Sequence, residues 1–346
     1  MSTGPILIFA PHPDDESLAC AGVMARAGAS EPDGIRVVIF TEGEAHLQAC
    51  AYYCCLEAAQ QVAEKDLRIG AVRFLGRQAG KPRAWLAAYV ADWQGRPLPD
   101  AQVSADDRRA ETNDRGYALL EIPVSALRPS LMVTANNVKR DMLVNRTLNS
   151  ADRRHFGLQR RQESQRALAL LGLPEQAVSF WECPDQGLDA ILSGQSRPGG
   201  PDRPTLETRI RELLDSIQPA VVYLPQGGDA DSDHRAVHDL VIAALGISDG
   251  ILVLSYIIHP RGSHDDWPLP SYRAPDRWSR YQPDMPMHPP PGLPQPELRL
   301  PLDGPLGPAE KGKLLELYET QMAADDNGFL LAFAKRDEIF WRERVG

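Results

Sequence analysis

The sequence lacks several features that mark specialised classes of protein. No apolar run approaches the roughly 18 to 20 residues that a helix needs to cross a bilayer, so a membrane-spanning protein is not expected. Only five cysteines occur among 346 residues, and this odd, low number does not fit a disulfide framework. The N-terminus also lacks the basic segment that opens a secretory signal peptide. We therefore expect a protein of the reducing cytoplasm.

Basic residues are scarce relative to acidic ones. Lys and Arg total 37 against 47 for Asp and Glu, which gives a net charge of −10. This balance disfavours nucleic acids and anionic membrane surfaces as partners, because both carry negative charge. The remaining composition, 43% hydrophobic and 24% charged, is ordinary for a globular protein. The length allows one large domain or two modest ones.

Strand-like and helix-like segments alternate over most of the chain. Short apolar runs predict buried strands at 5–10, 35–40, 178–181, 220–224 and 251–258. Apolar residues at helical spacing predict helices at 18–27, 160–172, 206–217 and 234–245. This alternation is typical of an α/β protein with a Rossmann-like, mostly parallel sheet and helices on both faces.

Residues 79–149 interrupt this alternation. Short strand-like runs are separated there by turn sequences such as Gln94-Gly-Arg-Pro97 and Asn113-Asp-Arg-Gly116, and no helix signal intervenes. This pattern predicts a small inserted antiparallel β-sandwich, and the segment resembles Ig-like or carboxypeptidase-regulatory-like accessory modules. The α/β domain would then be discontinuous, formed by residues 1–78 and 150–346.

Chemistry-bearing residues come directly after the first predicted strand. His12, Asp14 and Asp15 lie at this point, where open α/β sheets place their ligand crevice. Imidazole and carboxylate groups suit Zn²⁺ and related divalent ions. The same residues could instead form a helix N-cap with an acidic first turn.

A catalytic zinc site needs a third protein ligand. Asp233-His234 offers one, because the pair also follows a predicted strand and opens a helix. Two loops at one sheet edge would then converge on the ion. His238, four residues further along the helix, is an alternative ligand, although a surface position suits it better.

Several motifs together resemble one known family. They are Ala10-Pro-His-Pro-Asp-Asp-Glu16, Thr41-Glu-Gly-Glu44, Arg160-Arg-Gln-Glu163, Pro184-Asp-Gln-Gly-Leu188 and Asp233-His234. On these motifs the chain is similar to the PIG-L (LmbE-like) family of zinc-dependent N-acetylglucosaminyl deacetylases. The resemblance covers the chain outside the predicted insert.

The resemblance implies a set of roles for the residues at the sheet edge. His12, Asp15 and His234 would hold Zn²⁺, or another divalent transition metal. Asp14 would be the general base that takes a proton from the attacking water.

Further roles are implied for residues around this centre. Glu44, Arg160 and Asp185 would contact the substrate, while Glu16 and Asp233 would support the metal ligands from behind. Two of these side chains could instead have a purely structural role. Arg160 could pair with a carboxylate at the sheet edge, and Asp185 could cap a turn.

The chain departs from the family at one position. Asp231 stands where the family usually has a His that assists at the oxyanion. A carboxylate cannot stabilise an oxyanion unless it is protonated. Three interpretations stay open: Asp231 is held protonated, His259 or Tyr223 replaces the missing donor, or activity is weak or redirected. Among these we favour His259.

We expect the protein to be a zinc-dependent hydrolase that removes an N-acyl group from an amino sugar or glycoconjugate. The favoured acyl group is N-acetyl. One alternative is an amidase that acts on a thiol conjugate or another N-acylated metabolite. Another is a catalytically degenerate carbohydrate-binding protein on the same scaffold, which the departure at Asp231 motivates. The sequence leaves a homo-oligomer open.

Overall fold

The structure is a computed structural model that describes most of the chain. The described residues are 4–60, 67–78, 80–195, 200–246, 250–261, 267–268, 281–325 and 328–344. They fall into two units. The first unit comprises Met1–Gly43, Arg160–Tyr318 and Asn327–Gly346, and the second comprises Glu44–Gln159 and Glu319–Asp326. Among the described residues, no helix has both the length and the apolar composition that a membrane span requires.

The elements are numbered along the chain. The strands are β1 (Ile6–Ala10), β2 (Ile35–Thr41), β3 (Leu67–Gln78), β4 (Lys81–Asp92), β5 (Gln102–Ala105), β6 (Arg108–Glu111), β7 (Tyr117–Ile122), β8 (Ser130–Ala135), β9 (Val138–Leu143), β10 (Val178–Cys183), β11 (Val221–Pro225), β12 (Leu252–Tyr256), β13 (Leu298–Pro301) and β14 (Asp337–Arg342). The helices are α1 (Asp15–Ser30), α2 (Leu47–Gln60), α3 (Ser150–Leu170), α4 (Leu188–Leu192), α5 (Arg203–Ile217), α6 (Ser232–Leu245), α7 (Pro308–Leu315) and α8 (Glu319–Ala324).

The first unit is built on a seven-stranded sheet of order β10-β2-β1-β11-β12-β14-β13. The strands from β10 to β12 pair in parallel, whereas β14 and β13 complete one edge in antiparallel pairings. The prediction of a mostly parallel sheet is therefore confirmed. Its central strands are apolar almost throughout, as expected for strands that are buried on both faces.

Helices cover both faces of this sheet. Leu7 and Phe9 of β1 share one hydrophobic cluster with residues of α4, α5 and α6. Ile8 is also fully buried, and strand alternation points it to the opposite face. On that face α1 contacts β1, β2 and β14.

The strand order creates a switch point beside β1. The parallel strands β2 and β11 flank β1 on opposite sides, so the connections that follow β1 and β11 diverge across the sheet. Open α/β sheets bind their ligands at this type of crevice, outside the carboxyl ends of the strands. The turn after β1 and the loop between β11 and α6 both lie at this edge.

The second unit contains two antiparallel sheets, the helices α2 and α8, and the first part of α3. The sheets have the orders β3-β4-β7 and β6-β5-β8-β9, and residues from both sheets, such as Leu86 and Val133, share one hydrophobic core. The other face of the three-stranded sheet packs against α2, whose Cys50, Cys54 and Cys55 are buried there. All five cysteines are free thiols.

The β-rich region extends further towards the N-terminus than residue 79. Strand β3 pairs with β4 along its whole length, from Leu67 opposite Asp92 to Gln78 opposite Lys81. The two strands of one hairpin thus lie on either side of the predicted boundary, which places β3 with the strands of the insert. The insert at 79–149 as a separate domain, and its likeness to Ig-like or carboxypeptidase-regulatory-like modules, stay predictions.

Candidate functional site

The turn after β1 is tightly constrained. Asp14 has φ 117° and ψ −35°, a conformation that costs an L-residue of the order of 1–3 kcal/mol. The Asp14 carbonyl accepts hydrogen bonds from the backbone N–H groups of Ser17 and Leu18, at 2.9 and 2.8 Å. The Asp14 N–H donates to Glu16 Oε2 at 3.0 Å. These bonds hold the strained turn at the start of α1.

Glu16 anchors this turn from within the protein. The side chain is fully buried, and its Oε1 accepts hydrogen bonds from Ser164 Oγ and Tyr318 Oη, both at 2.6 Å. Burial raises the pKa of Glu16 above its usual value. Glu16 is expected from the family resemblance to support a metal-ligating imidazole. Its hydrogen bonds instead join the backbone of the turn to Ser164 and Tyr318.

Three side chains from the two loops converge on one point. Asp15 Oδ2 lies 3.2 Å from His12 Nδ1 and 3.2 Å from His234 Nε2. Asp15 and His234 are buried, and His12 is almost so. Burial raises the pKa of Asp15, but the two imidazoles outweigh it and hold this pKa well below the usual value.

The chemistry of these donors fits a divalent cation. Zinc binds imidazole nitrogen and carboxylate oxygen at about 2.0–2.2 Å, so neighbouring ligands of a tetrahedral site lie about 3.3–3.5 Å apart. The observed separations of 3.2 Å are close to that spacing. Both ring nitrogens of His234 are buried, and within the described residues neither is aligned for a hydrogen bond. Among the described residues, this donor set is one of two groups with the spacing of metal ligands.

Asp229 contacts Nδ1 of His234, the ring nitrogen that does not face Asp15. Its Oδ2 lies 3.2 Å from His234 Nδ1 and accepts backbone hydrogen bonds from Ile258 and His259, at 3.1 and 3.0 Å. Burial lowers the pKa of His234, but the carboxylates of Asp15 and Asp229 outweigh it and raise this pKa to about 10. Asp229 is a site residue that the sequence alone does not single out, because Asp229, Asp231 and Asp233 lie close together in one run and are the same residue type.

His12 has its own carboxylate contacts at Nε2. Asp185 Oδ1 lies 3.3 Å away and Asp233 Oδ2 lies 3.7 Å away. Asp233 also accepts hydrogen bonds from the backbone N–H groups of Gln186 and Leu188. Burial lowers the pKa of His12, but its carboxylate partners outweigh this and raise the pKa well above the usual value. His12, Asp185 and Asp233 are the second group with metal-ligand spacing.

Arg160 reaches the crevice from α3 and bonds Asp14. Its Nη2 donates to Asp14 Oδ2 at 3.1 Å and to Pro13 O at 2.7 Å, while Nη1 donates to Gly43 O at 2.7 Å. Gly43 has φ 64°, and a Cβ there would lie 1.6 Å from Arg160 Nη1. Burial raises the pKa of Asp14 to about 7, although Arg160 acts in the opposite direction. Arg160 thus pairs with a sheet-edge carboxylate, and its substrate contact stays a prediction.

Asp231 and His259 occupy different settings. Asp231 is the N-cap of α6, where its Oδ1 accepts hydrogen bonds from the N–H groups of Asp233 and His234, at 2.8 and 3.4 Å. An N-cap uses an oxygen acceptor, so this oxygen stabilises the helix rather than an oxyanion.

The His259 ring lies 5.2 Å from the His234 ring and stacks on Phe329 at 5.4 Å. Burial and the His234 charge lower the pKa of His259, which favours a neutral imidazole.

The remaining sequence candidates lie elsewhere. Glu44 belongs to the second unit, in the turn before α2, and its substrate role stays a prediction. His238 Nδ1 lies 2.9 Å from the exposed Asp239, as expected for a surface pair. Tyr223, the alternative oxyanion donor, is buried edge-on against the Phe340 ring.

Comparisons with known proteins give one family match and several distant structural likenesses. The PIG-L family model, described as GlcNAc-PI de-N-acetylase, matches residues 7–144 and 132–245. None of the curated proteins compared with the chain matches it. These findings concern sequence, and the structural comparisons add further likenesses.

Three of the solved structures that resemble this chain do so at low identity. A conserved protein from Thermus thermophilus is 15% identical, with TM-score 0.45 over 99% of this chain and 96% of that chain. N,N'-diacetylchitobiose deacetylase from Pyrococcus horikoshii is 11% identical, with TM-score 0.43 over 98% and 83%. The A40926 pseudoaglycone deacetylase is 15% identical, with TM-score 0.47 over 100% and 99%. Likenesses this weak carry no conclusion about activity.

Proposed function

The chain belongs to the PIG-L family of GlcNAc-PI de-N-acetylases, and from this premise we propose that it removes the N-acetyl group of an amino sugar or glycoconjugate with the help of a bound divalent cation. Family membership makes the chain a hydrolytic deacetylase that acts on an amide bond. The convergence of His12, Asp15 and His234 supports the metal and the mechanism. The family description names a GlcNAc derivative, which supports the substrate class.

We assign the cation, Zn²⁺ in the first instance, to the donor set His12, Asp15 and His234. When bound, such an ion supplies a Lewis acid that polarises the amide carbonyl and lowers the pKa of water. Asp185 contacts His12 Nε2 and Asp229 contacts His234 Nδ1. The second nitrogen of each ring lies 3.2 Å from Asp15 Oδ2 and is the one that would face the ion. Carboxylates in this position fix the ring orientation and increase the basicity of the ligand.

We assign the general base to Asp14. Its carboxylate is next to the metal ligand Asp15 in sequence, and its pKa of about 7 suits proton transfer at neutral pH. Asp14 takes a proton from the attacking water as the new C–O bond forms. The same proton passes to the nitrogen of the leaving amine as the C–N bond breaks. Arg160 stabilises the charged form of Asp14 before the first of these steps and after the second.

We assign stabilisation of the carbonyl oxygen to His259. A neutral imidazole carries one N–H donor, and a donor aimed at the developing oxyanion is the largest single contribution in many acyl-transfer enzymes. His259 lies beside His234, and stacking on Phe329 fixes its ring plane. His259 would thus supply the donor that the family has at the position of Asp231.

Amine release from N-acetylated amino sugars, glycolipids and thiol conjugates tests the proposal. We expect release that a chelator abolishes and added Zn²⁺ restores. His234→Ala should abolish both metal binding and release, whereas His238→Ala, one helical turn further along α6, should preserve them. Metal-independent release that survives His234→Ala would contradict the proposal. Stoichiometric metal without release from any substrate would favour the binding-protein alternative.

A further inference from the structure

Helix α1 is broken one turn after the candidate metal ligand. Cys20 has φ −126° and ψ 17°, outside the helical range. In a regular α-helix the N–H of Gly22 would donate to the carbonyl of Leu18, four residues earlier. Here Gly22 N donates to Glu338 Oε1 at 2.9 Å, and Leu18 O accepts from Lys311 Nζ at 2.7 Å. Two side chains thus bond the backbone groups on either side of the kink.

These two side chains form a buried ion pair. Lys311 Nζ lies 2.7 Å from Glu338 Oε1, and the two residues are 0% and 2% exposed. A buried ion pair is weak evidence for added stability, because removing both charges from water is costly. The bonds to Leu18 and Gly22 give this pair a more specific role. It satisfies the two backbone groups that the break in α1 would otherwise leave unpaired.

The sequence at the kink permits this approach. A Cβ on Gly22 would lie 2.3 Å from Leu302 Cδ2 and 3.0 Å from Glu338 Oε2. Glycine weakens a helix interior relative to alanine. At this position its lack of a side chain lets the carboxylate of β14 reach the backbone of α1.

We propose that the Lys311–Glu338 pair positions the metal ligand Asp15 by holding α1 in its kinked form. Asp15 opens the short segment before the kink, so the direction of that segment sets where its carboxylate points. Without the pair, Leu18 and Gly22 would bond to each other, and straightening of α1 would turn Asp15 away from His12 and His234. The inference rests on the proposed metal site.

Lys311→Met removes the donor to Leu18, and Arg299→Met is the matched control. Arg299 bonds Asp337 Oδ2 at 2.7 Å and Met287 O at 2.8 Å. It thus forms an ion pair on the same sheet edge that is more exposed than Lys311–Glu338 and whose partners lie outside α1. We expect Lys311→Met to weaken Zn²⁺ binding about tenfold or more, as for residues that support metal ligands. The absorption spectrum of the Co²⁺ form should change as well. Arg299→Met should preserve both.

Hydrogen exchange of the metal-free protein provides a second readout. Amides of residues 15–22 should exchange faster in Lys311→Met than in Arg299→Met, when the two are compared at equal free energies of unfolding. A purely structural role of Lys311 would accelerate exchange to the same extent in both variants.

A double variant keeps the test decisive where Lys311→Met alone does not fold. Lys311→Met with Glu338→Gln leaves no lone buried charge and keeps an oxygen for Gly22, but it still removes the donor to Leu18. Wild-type zinc affinity, cobalt spectrum and exchange in either folded variant would overturn the inference. Failure of the wild-type protein to bind metal would instead contradict the proposed function, while the exchange comparison still tests the kink.

Discussion

Asp229 carries the most informative single substitution in the candidate site. Its Oδ2 contacts His234 Nδ1 and accepts hydrogen bonds from the N–H groups of Ile258 and His259. Its Oδ1 accepts a third backbone hydrogen bond, from Asp231, at 2.9 Å. One carboxylate therefore orients a candidate metal ligand and joins the loops that follow β11 and β12.

The two substitutions Asp229→Ala and Asp229→Asn separate these effects. Alanine leaves three N–H groups without their acceptor, at about 1–3 kcal/mol each, or about 3–9 kcal/mol in total. That loss approaches the whole free energy of unfolding of a typical domain, about 5–15 kcal/mol. Asparagine can keep its oxygen at the Oδ2 position and lose only the bond from Asp231, at about 1–3 kcal/mol.

Asparagine also removes the negative charge behind His234. Substitutions of such supporting carboxylates typically weaken metal binding about 10- to 100-fold, which corresponds to about 1.4–2.8 kcal/mol. Asp229→Asn should therefore fold and bind Zn²⁺ more weakly than the wild-type protein.

Urea unfolding of the metal-free protein and zinc competition against a chromophoric chelator measure the two effects. Asp239→Asn is the matched control, because Asp239 faces His238 on the exposed side of the same helix. We expect Asp239→Asn to change neither quantity. Wild-type stability and wild-type zinc affinity in Asp229→Asn would refute the role assigned to Asp229.

Three further predictions concern the proton chemistry of the site. Asp14→Asn should keep zinc affinity and lower kcat for amine release by about 10²- to 10⁴-fold. Arg160→Met removes the cation that lowers the pKa of Asp14, so the acidic limb of the pH–rate profile should move to higher pH. Zn²⁺ binding should release about two protons near pH 7, because His12 and His234 have raised pKa values and ligate only when neutral. Affinity should therefore rise with pH, and calorimetry in buffers of different ionisation enthalpy measures the release.

Each of these predictions has an opposite outcome. Near-wild-type kcat in Asp14→Asn would exclude Asp14 as the base. An unchanged acidic limb in Arg160→Met would show that Asp14 does not govern that limb. Metal binding without proton release would contradict the protonation assigned to His12 and His234.

The parallel core of the first unit is predictable from sequence, but its antiparallel edge is not. Strands such as β1 and β11 are buried on both faces, so a continuous apolar run identifies them locally. Strand β14 carries the buried Glu338, whose partner Lys311 lies 27 positions earlier. A charged residue inside a strand hides its apolar pattern, and only tertiary structure supplies the compensating charge.

The metal-ligand candidates can be identified from sequence, whereas the carboxylates behind them cannot. His12 and Asp15 follow β1 directly, and His234 opens the helix after β11, so the topology brings them to one edge. Three aspartates lie within the five positions before His234, at 229, 231 and 233. The backbone path decides that Asp229 faces His234, Asp231 caps α6 and Asp233 approaches His12.

Anomalous X-ray scattering from crystals grown with Zn²⁺ tests the central claim most directly. We expect one strong zinc peak, about 2.0–2.2 Å from each of His12 Nδ1, Asp15 Oδ2 and His234 Nε2. A peak on the other side of the His12 ring, between Asp185 and Asp233, or no peak at this sheet edge, would contradict it.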